Sequence, residues 1–80
     1  MKFTYDPRYS IAYIRFAEKR GEVESVRVSE ELVVDIAPDG TVYGIELLNA
    51  NVQLARESGG VLQVVNEATG AFAELSLAIA

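Results

Sequence analysis

Five side chains carry most of the polar chemistry open to this chain: Tyr5, Tyr13, Arg15, Asp35 and Tyr43. Asp35 sits inside an apolar run, Leu32 to Ile36. A carboxyl held there by burial and a neighbouring phenol could act as an acid or base. It could equally be half of a hydrogen-bonded Asp–Tyr pair that satisfies two polar groups inside a sheet or an interface. A buried carboxylate without a partner would be strongly destabilising. Arg15 presents a planar fork suited to an anionic ligand or an interface carboxylate. The alternative is a local carboxylate partner, with the arginine stem laid on aromatic rings. Tyr5, Asp6, Tyr9 and Tyr13 lie near Arg15 in the chain. Asp6 before Pro7 suits a turn-forming side chain that accepts from nearby amides.

Other chemistry is excluded by what the chain lacks. It has no histidine and no cysteine. That removes catalytic triads, thiolate nucleophiles, imidazole bases, disulfides and zinc sites built from nitrogen and sulfur. A carboxylate cage for a hard cation needs several acidic residues in one loop, whereas Ala37-Pro38-Asp39-Gly40 supplies one. Gly59-Gly60 is not a phosphate loop, having no Lys-Ser/Thr behind it. No metal, no cofactor and no enzymatic activity are therefore expected. The net charge is −5, and the seven basic residues are scattered. Nucleic-acid affinity comes largely from cations that neutralise phosphates, so direct nucleic-acid binding is not expected. No apolar run is long enough to span a membrane, and the first ten residues lack the apolar core of a signal peptide. A single cytoplasmic domain of 80 residues is the expectation.

The elements that must position these side chains are punctuated by turn residues. Alternating and β-branched stretches predict strands near 2–5, 10–17, 23–28, 32–37, 41–48 and 61–66. A charged loop at 18–21 joins the second strand to the third. A short helix is expected near 50–58, ended by Gly59-Gly60. Residues 71–79 fit either a strand or a helix face, and a strand paired with 61–66 is preferred. The fold class is α+β and mostly β, a small antiparallel sheet built from hairpins. Pro38-Asp39-Gly40 is the strongest local signal, a three-residue hairpin loop with Gly in the left-handed position. It sets Ile36 opposite Val42, Asp35 opposite Tyr43 and Val34 opposite Gly44. In that register both faces of the hairpin are mainly apolar, which predicts a central position covered on both sides. Asp35 and Glu46 fall on opposite faces. Gly44 marks a close approach, with Tyr13 or Tyr9 as the neighbour.

Several of these marks occur together in a known order. MKFTYDP, AYIRF, Glu24-Ser25, Val28-Ser29 and LVVDIAPDGTVYGIELLNA resemble the small bacterial family known as domain of unknown function 2283, over residues 1–50. Arg8-Tyr9-Ser10 and Asn49-Ala50 depart from the residues usual in that family. The resemblance implies a small antiparallel sheet with little helix and no established activity. Through the toxin-like neighbours ascribed to such genes, it also implies an antitoxin-like role as an alternative.

From the residues themselves, the expected function is a non-enzymatic interaction domain that self-associates as a homodimer. Two apolar hairpin faces and the weakly charged tail LSLAIA are the reason. The alternative is a subunit that binds a basic partner protein, towards which the −5 charge would steer it. A ligand binder or enzyme built on Tyr5, Tyr13, Arg15, Asp35 or Tyr43 would need at least three of them to converge on a pocket.

Overall fold

The computed structural model describes residues 1–18 and 20–79, so Lys19 of the expected charged loop lies outside the described residues. Seven strands and one short helix follow in the order β1 (Lys2–Asp6), β2 (Ile11–Arg15), β3 (Glu24–Ser29), β4 (Leu32–Ile36), β5 (Val42–Leu48), α1 (Ala50–Gln53), β6 (Val61–Val65) and β7 (Phe72–Ser76). The first five strands form one antiparallel sheet ordered β1-β2-β5-β4-β3, and β6 pairs with β7 in a separate hairpin. The mostly β, hairpin-built fold follows the sequence closely. β1 to β6 each fall within a residue or two of their predicted bounds, and β7 ends three residues before the end of the expected 71–79 segment.

Local chemistry explains the turns. Asp6 accepts from the Arg8 amide at 3.0 Å and forms an ion pair with the Arg8 guanidinium at 2.8 Å, closing the bend at Pro7. In the β4–β5 loop the Ala37 amide donates to the Thr41 carbonyl at 2.8 Å, and the Gly40 amide to the Ala37 carbonyl at 2.9 Å. Gly40 adopts φ +91°, a conformation a Cβ would strain.

Beyond the loop, the expected register fails, and the cause is a bulge. Ile36 pairs with Val42 as predicted, but Asp35 pairs with Gly44 and not with Tyr43. Tyr43 is the extra residue. From there on the ladder is displaced by one, so Val34 faces Ile45 and Leu32 faces Leu47. A one-residue slip exchanges the faces of a strand. Leu32, Val34, Ile45 and Leu47 thus share one apolar side, while Val33, Asp35, Gly44 and Glu46 share the other. The expectation of two apolar faces is corrected: β4 and β5 are central in the sheet, but one side is apolar and the other mixed. Asp35 and Glu46 lie on the same face, contrary to the simple register. A second bulge at Val28 displaces β3 against β4, so that Ser25 pairs with Asp35.

The helix is shorter than expected. It ends at Gln53, and turns run on to Ser58, Gly59 and Gly60, all three with positive φ. One turn of helix cannot hold itself, because nucleation is costly. Tertiary bonds fix it instead. The Gln53 side-chain amide donates to the carbonyls of Leu48 at 2.7 Å and Glu31 at 2.9 Å. Residues 72–76 form the preferred strand, since their backbone groups pair with β6 in register, Leu62 opposite Leu75 and Val64 opposite Ala73.

Little of this fold is sealed. Ala12 and Ala50 are the buried hydrophobic residues, and no large side chain is fully buried among the described residues. The apolar side of the sheet carries Phe3, Tyr5, Ala12 and Ile14 from β1 and β2 beside Ile45, Leu47, Leu32 and Val34. The β6–β7 hairpin shares no ladder with that sheet. The chain spreads to 36 × 34 × 19 Å with a radius of gyration of 14.1 Å, against roughly 12 Å for a compact domain of this length.

Candidate functional site

The bulges assemble a row across the mixed face: Lys2, Arg15, Gly44, Asp35 and Ser25 stand side by side on β1, β2, β5, β4 and β3. Asp35 is its centre, 5% exposed. The Tyr13 hydroxyl donates to Asp35 Oδ2 at 2.8 Å, and the Ser25 hydroxyl donates to Asp35 Oδ1 at 2.7 Å. Tyr13 belongs to β2, with β5 between it and β4. Its ring reaches Asp35 by lying over Gly44, where a Cβ would overlap the phenol and come within 2.7 Å of the Ile14 carbonyl oxygen. Sequence reasoning found the close approach at Gly44 and the Asp–Tyr pair, but assigned the pair to Tyr43.

The other candidates go elsewhere. Tyr43, displaced by the bulge, donates its hydroxyl to the Arg20 carbonyl at 3.3 Å. Tyr5 projects from the opposite face of the sheet and donates to Asn51 Oδ1. Arg15 shares the Asp35 face but is exposed, and its side chain makes no hydrogen bond or ion pair among the described residues. The local carboxylate partner expected for it is not seen there. Tyr13, Arg15 and Asp35 thus share one face of the sheet, while Tyr5 lies on the other and Tyr43 bonds to the β2–β3 loop. Around Asp35 the arrangement holds a carboxylate by two hydroxyl donors, which is how a buried acid is kept satisfied. No buried side-chain nitrogen or oxygen among the described residues lacks a partner.

Sequence reasoning missed three residues of these networks. Ser25 was legible only as a polar strand residue, because the bulge at Val28 decides what it faces. Ser10 and Asn51 knit the β1–β2 turn to the helix. The Asn51 amide donates to the Ser10 hydroxyl at 2.9 Å, the Asn51 side chain donates to the Pro7 carbonyl at 3.1 Å, and the Ala50 amide donates to the Ser10 carbonyl at 2.8 Å. Ser10 and Asn49 both take positive φ at this junction. Nothing in local composition announces a bond spanning forty residues.

An apolar concavity lies on the other side. A groove of about 420 Å³ opens between the apolar face of the sheet and the β6–β7 hairpin. Phe3, Ile14 and Leu47 form one wall, Leu62, Val64 and Leu75 the other, with Met1, Leu54 and Leu77 completing the lining. No charged side chain and none of the five candidates lines it. Among the described residues there is no cluster of three carboxylates that could hold a metal ion, and no helix long and apolar enough to cross a membrane.

The fold and these two faces define a small antiparallel β domain with a satisfied buried carboxylate on one side and an open apolar groove on the other. Residues 2–51 match the family described as "Protein of unknown function (DUF2283)", and the chain belongs to that family. The match covers the five-stranded sheet and ends inside α1, so the β6–β7 hairpin lies beyond it. No curated protein matches the chain, and no solved structure does.

Proposed function

We propose that this chain is a protein–protein interaction domain whose partner is a second copy of itself, docked against the apolar side of the sheet. The observation that carries the reading is surface area. The chain exposes 5856 Å². A folded monomer of 8.7 kDa would expose about 4,700 Å², so the excess is roughly 1,100 Å². A standard interface removes about 800 Å² from each partner, which the excess covers. Much of the surplus is apolar: Val64, Phe72 and Leu75 are each more than half exposed. The two apolar faces expected for β4 and β5 do not support the reading, because one of them is mixed. What supports it is one apolar face with too little of the chain to cover it.

Sedimentation equilibrium over a range of micromolar concentrations tests the reading. The expected mass is that of a dimer dissociating on dilution; a folded monomer at every concentration overturns it. The second reading, a subunit for a basic partner protein, is favoured by the −5 charge alone. Capture of a defined basic protein at low salt, by a chain that stays monomeric by itself, would put it first.

A further inference from the structure

Resting on that self-association, we infer that the occupant of the apolar groove is the β6–β7 hairpin of the second copy, each hairpin seated in the other's groove about a two-fold axis. The hairpin is the element that most needs a partner. It shares no ladder with the five-stranded sheet, and a lone two-stranded hairpin is marginal in water. Its two arms are joined at the base, where Leu77 donates its amide to the Gly60 carbonyl at 2.9 Å and Ile79 packs on Gly60. Further out, its inner side carries Val64 and Leu75, 55% and 59% exposed although both line the groove. The hairpin thus stands off the sheet, and its own groove stays open by about 420 Å³. A contiguous apolar surface left open to water marks an interaction site.

Charge chooses a second copy over a basic protein as the occupant. Each chain carries −5, so two copies repel wherever their carboxylates face each other. The groove lining contains no ionisable side chain, so the lining itself sets no carboxylates against each other. A basic partner would find no carboxylate in it. Both walls are aliphatic or aromatic, so the same surface can serve as groove and as insert, which is what a two-fold interface demands.

The chain has no cysteine, which makes the test clean. Two single-cysteine chains, Leu75→Cys and Phe3→Cys, are mixed under mild oxidation. The expected result is a disulfide between the two chains, forming faster than in a control mixture of Thr41→Cys with Phe3→Cys. Leu75→Glu in the full chain, with folding checked by circular dichroism, is expected to weaken the dimer by at least about tenfold, the loss that follows from removing one interface anchor. If the wild type dimerises but Leu75→Cys and Phe3→Cys do not join faster than the control, or Leu75→Glu dimerises as tightly as the wild type, the hairpin seating is wrong while self-association stands. A wild type that stays monomeric removes both.

Discussion

The phenol of Tyr13 crosses β5 over Gly44 and donates a 2.8 Å hydrogen bond to Asp35 on β4. One side chain thereby ties three strands. Neighbouring strands sit about 4.8 Å apart, so the link bridges two inter-strand gaps, and only the missing side chain at Gly44 leaves room for the ring. Ser25 closes the same carboxylate from β3, and four of the five strands meet at one buried group.

Replacing Gly44 by Ala is expected to destabilise the fold by about 1–3 kcal/mol, the usual loss on overpacking a filled site. The new methyl meets both the Tyr13 phenol and the fixed Ile14 carbonyl, so ring rotation alone cannot relieve it. Urea denaturation checks this as a lower midpoint. An unchanged midpoint would mean that the ring does not lie there.

Tyr13→Phe removes one donor to Asp35 and leaves Ser25 in place. A loss of about 1–3 kcal/mol is expected, the range for weakening the partnership of a buried polar group. In a double-mutant cycle with Asp35→Ala, the two changes should couple by at least about 0.5 kcal/mol, while Tyr43→Phe with Asp35→Ala should be additive. Coupling through Tyr43 instead would restore the register expected from the sequence alone.

Acid should weaken the fold through Asp6 and Asp39. The Arg8 guanidinium holds the Asp6 carboxyl below its ordinary value, and the Thr41 amide does the same for Asp39. Both bonds favour the charged form in the folded chain. Their contribution is complete above the ordinary carboxylate value of 3.8 and is lost as pH falls from there through the lowered folded values. Asp39→Asn should therefore flatten part of the decline in unfolding free energy below that pH. Asp39 is exposed and Asp6 only partly covered, so the effect is small. Urea titrations at stepped pH measure it, and an unchanged acid limb in the variant would count against the Thr41 bond.

Salt should strengthen the dimer. Two chains of charge −5 repel, and no charged side chain lines the groove. Raising ionic strength shortens the reach of the repulsion and leaves apolar burial intact. The dissociation constant from sedimentation should fall between low and physiological salt. A complex with a basic protein would respond in the opposite sense.

Much of the architecture was legible along the chain. Alternation placed the strands, Asp6-Pro7 and Pro38-Asp39-Gly40 placed two turns, and Gly44 announced the close approach of an aromatic ring. The Asp–Tyr pair was anticipated as a kind of contact, but with the wrong tyrosine. A bulge adds one residue to a strand without altering its alternating composition, yet it exchanges every face beyond it. Tyr43 and Val28 look like ordinary strand residues in sequence and are the two that set the row Gly44–Asp35–Ser25. The β7 segment posed the opposite difficulty. Its composition suits helix or strand, and pairing with β6 chose between them.

By itself the sequence determined where the chain extends and turns, because side-chain alternation and the backbone limits of proline and glycine act between near neighbours. The tertiary structure decided which faces those strands show, which tyrosine reaches Asp35, and that the β6–β7 hairpin stands off the sheet with a groove between them. Each of these depends on register and packing between segments far apart in the chain, and a single inserted residue is enough to reverse them.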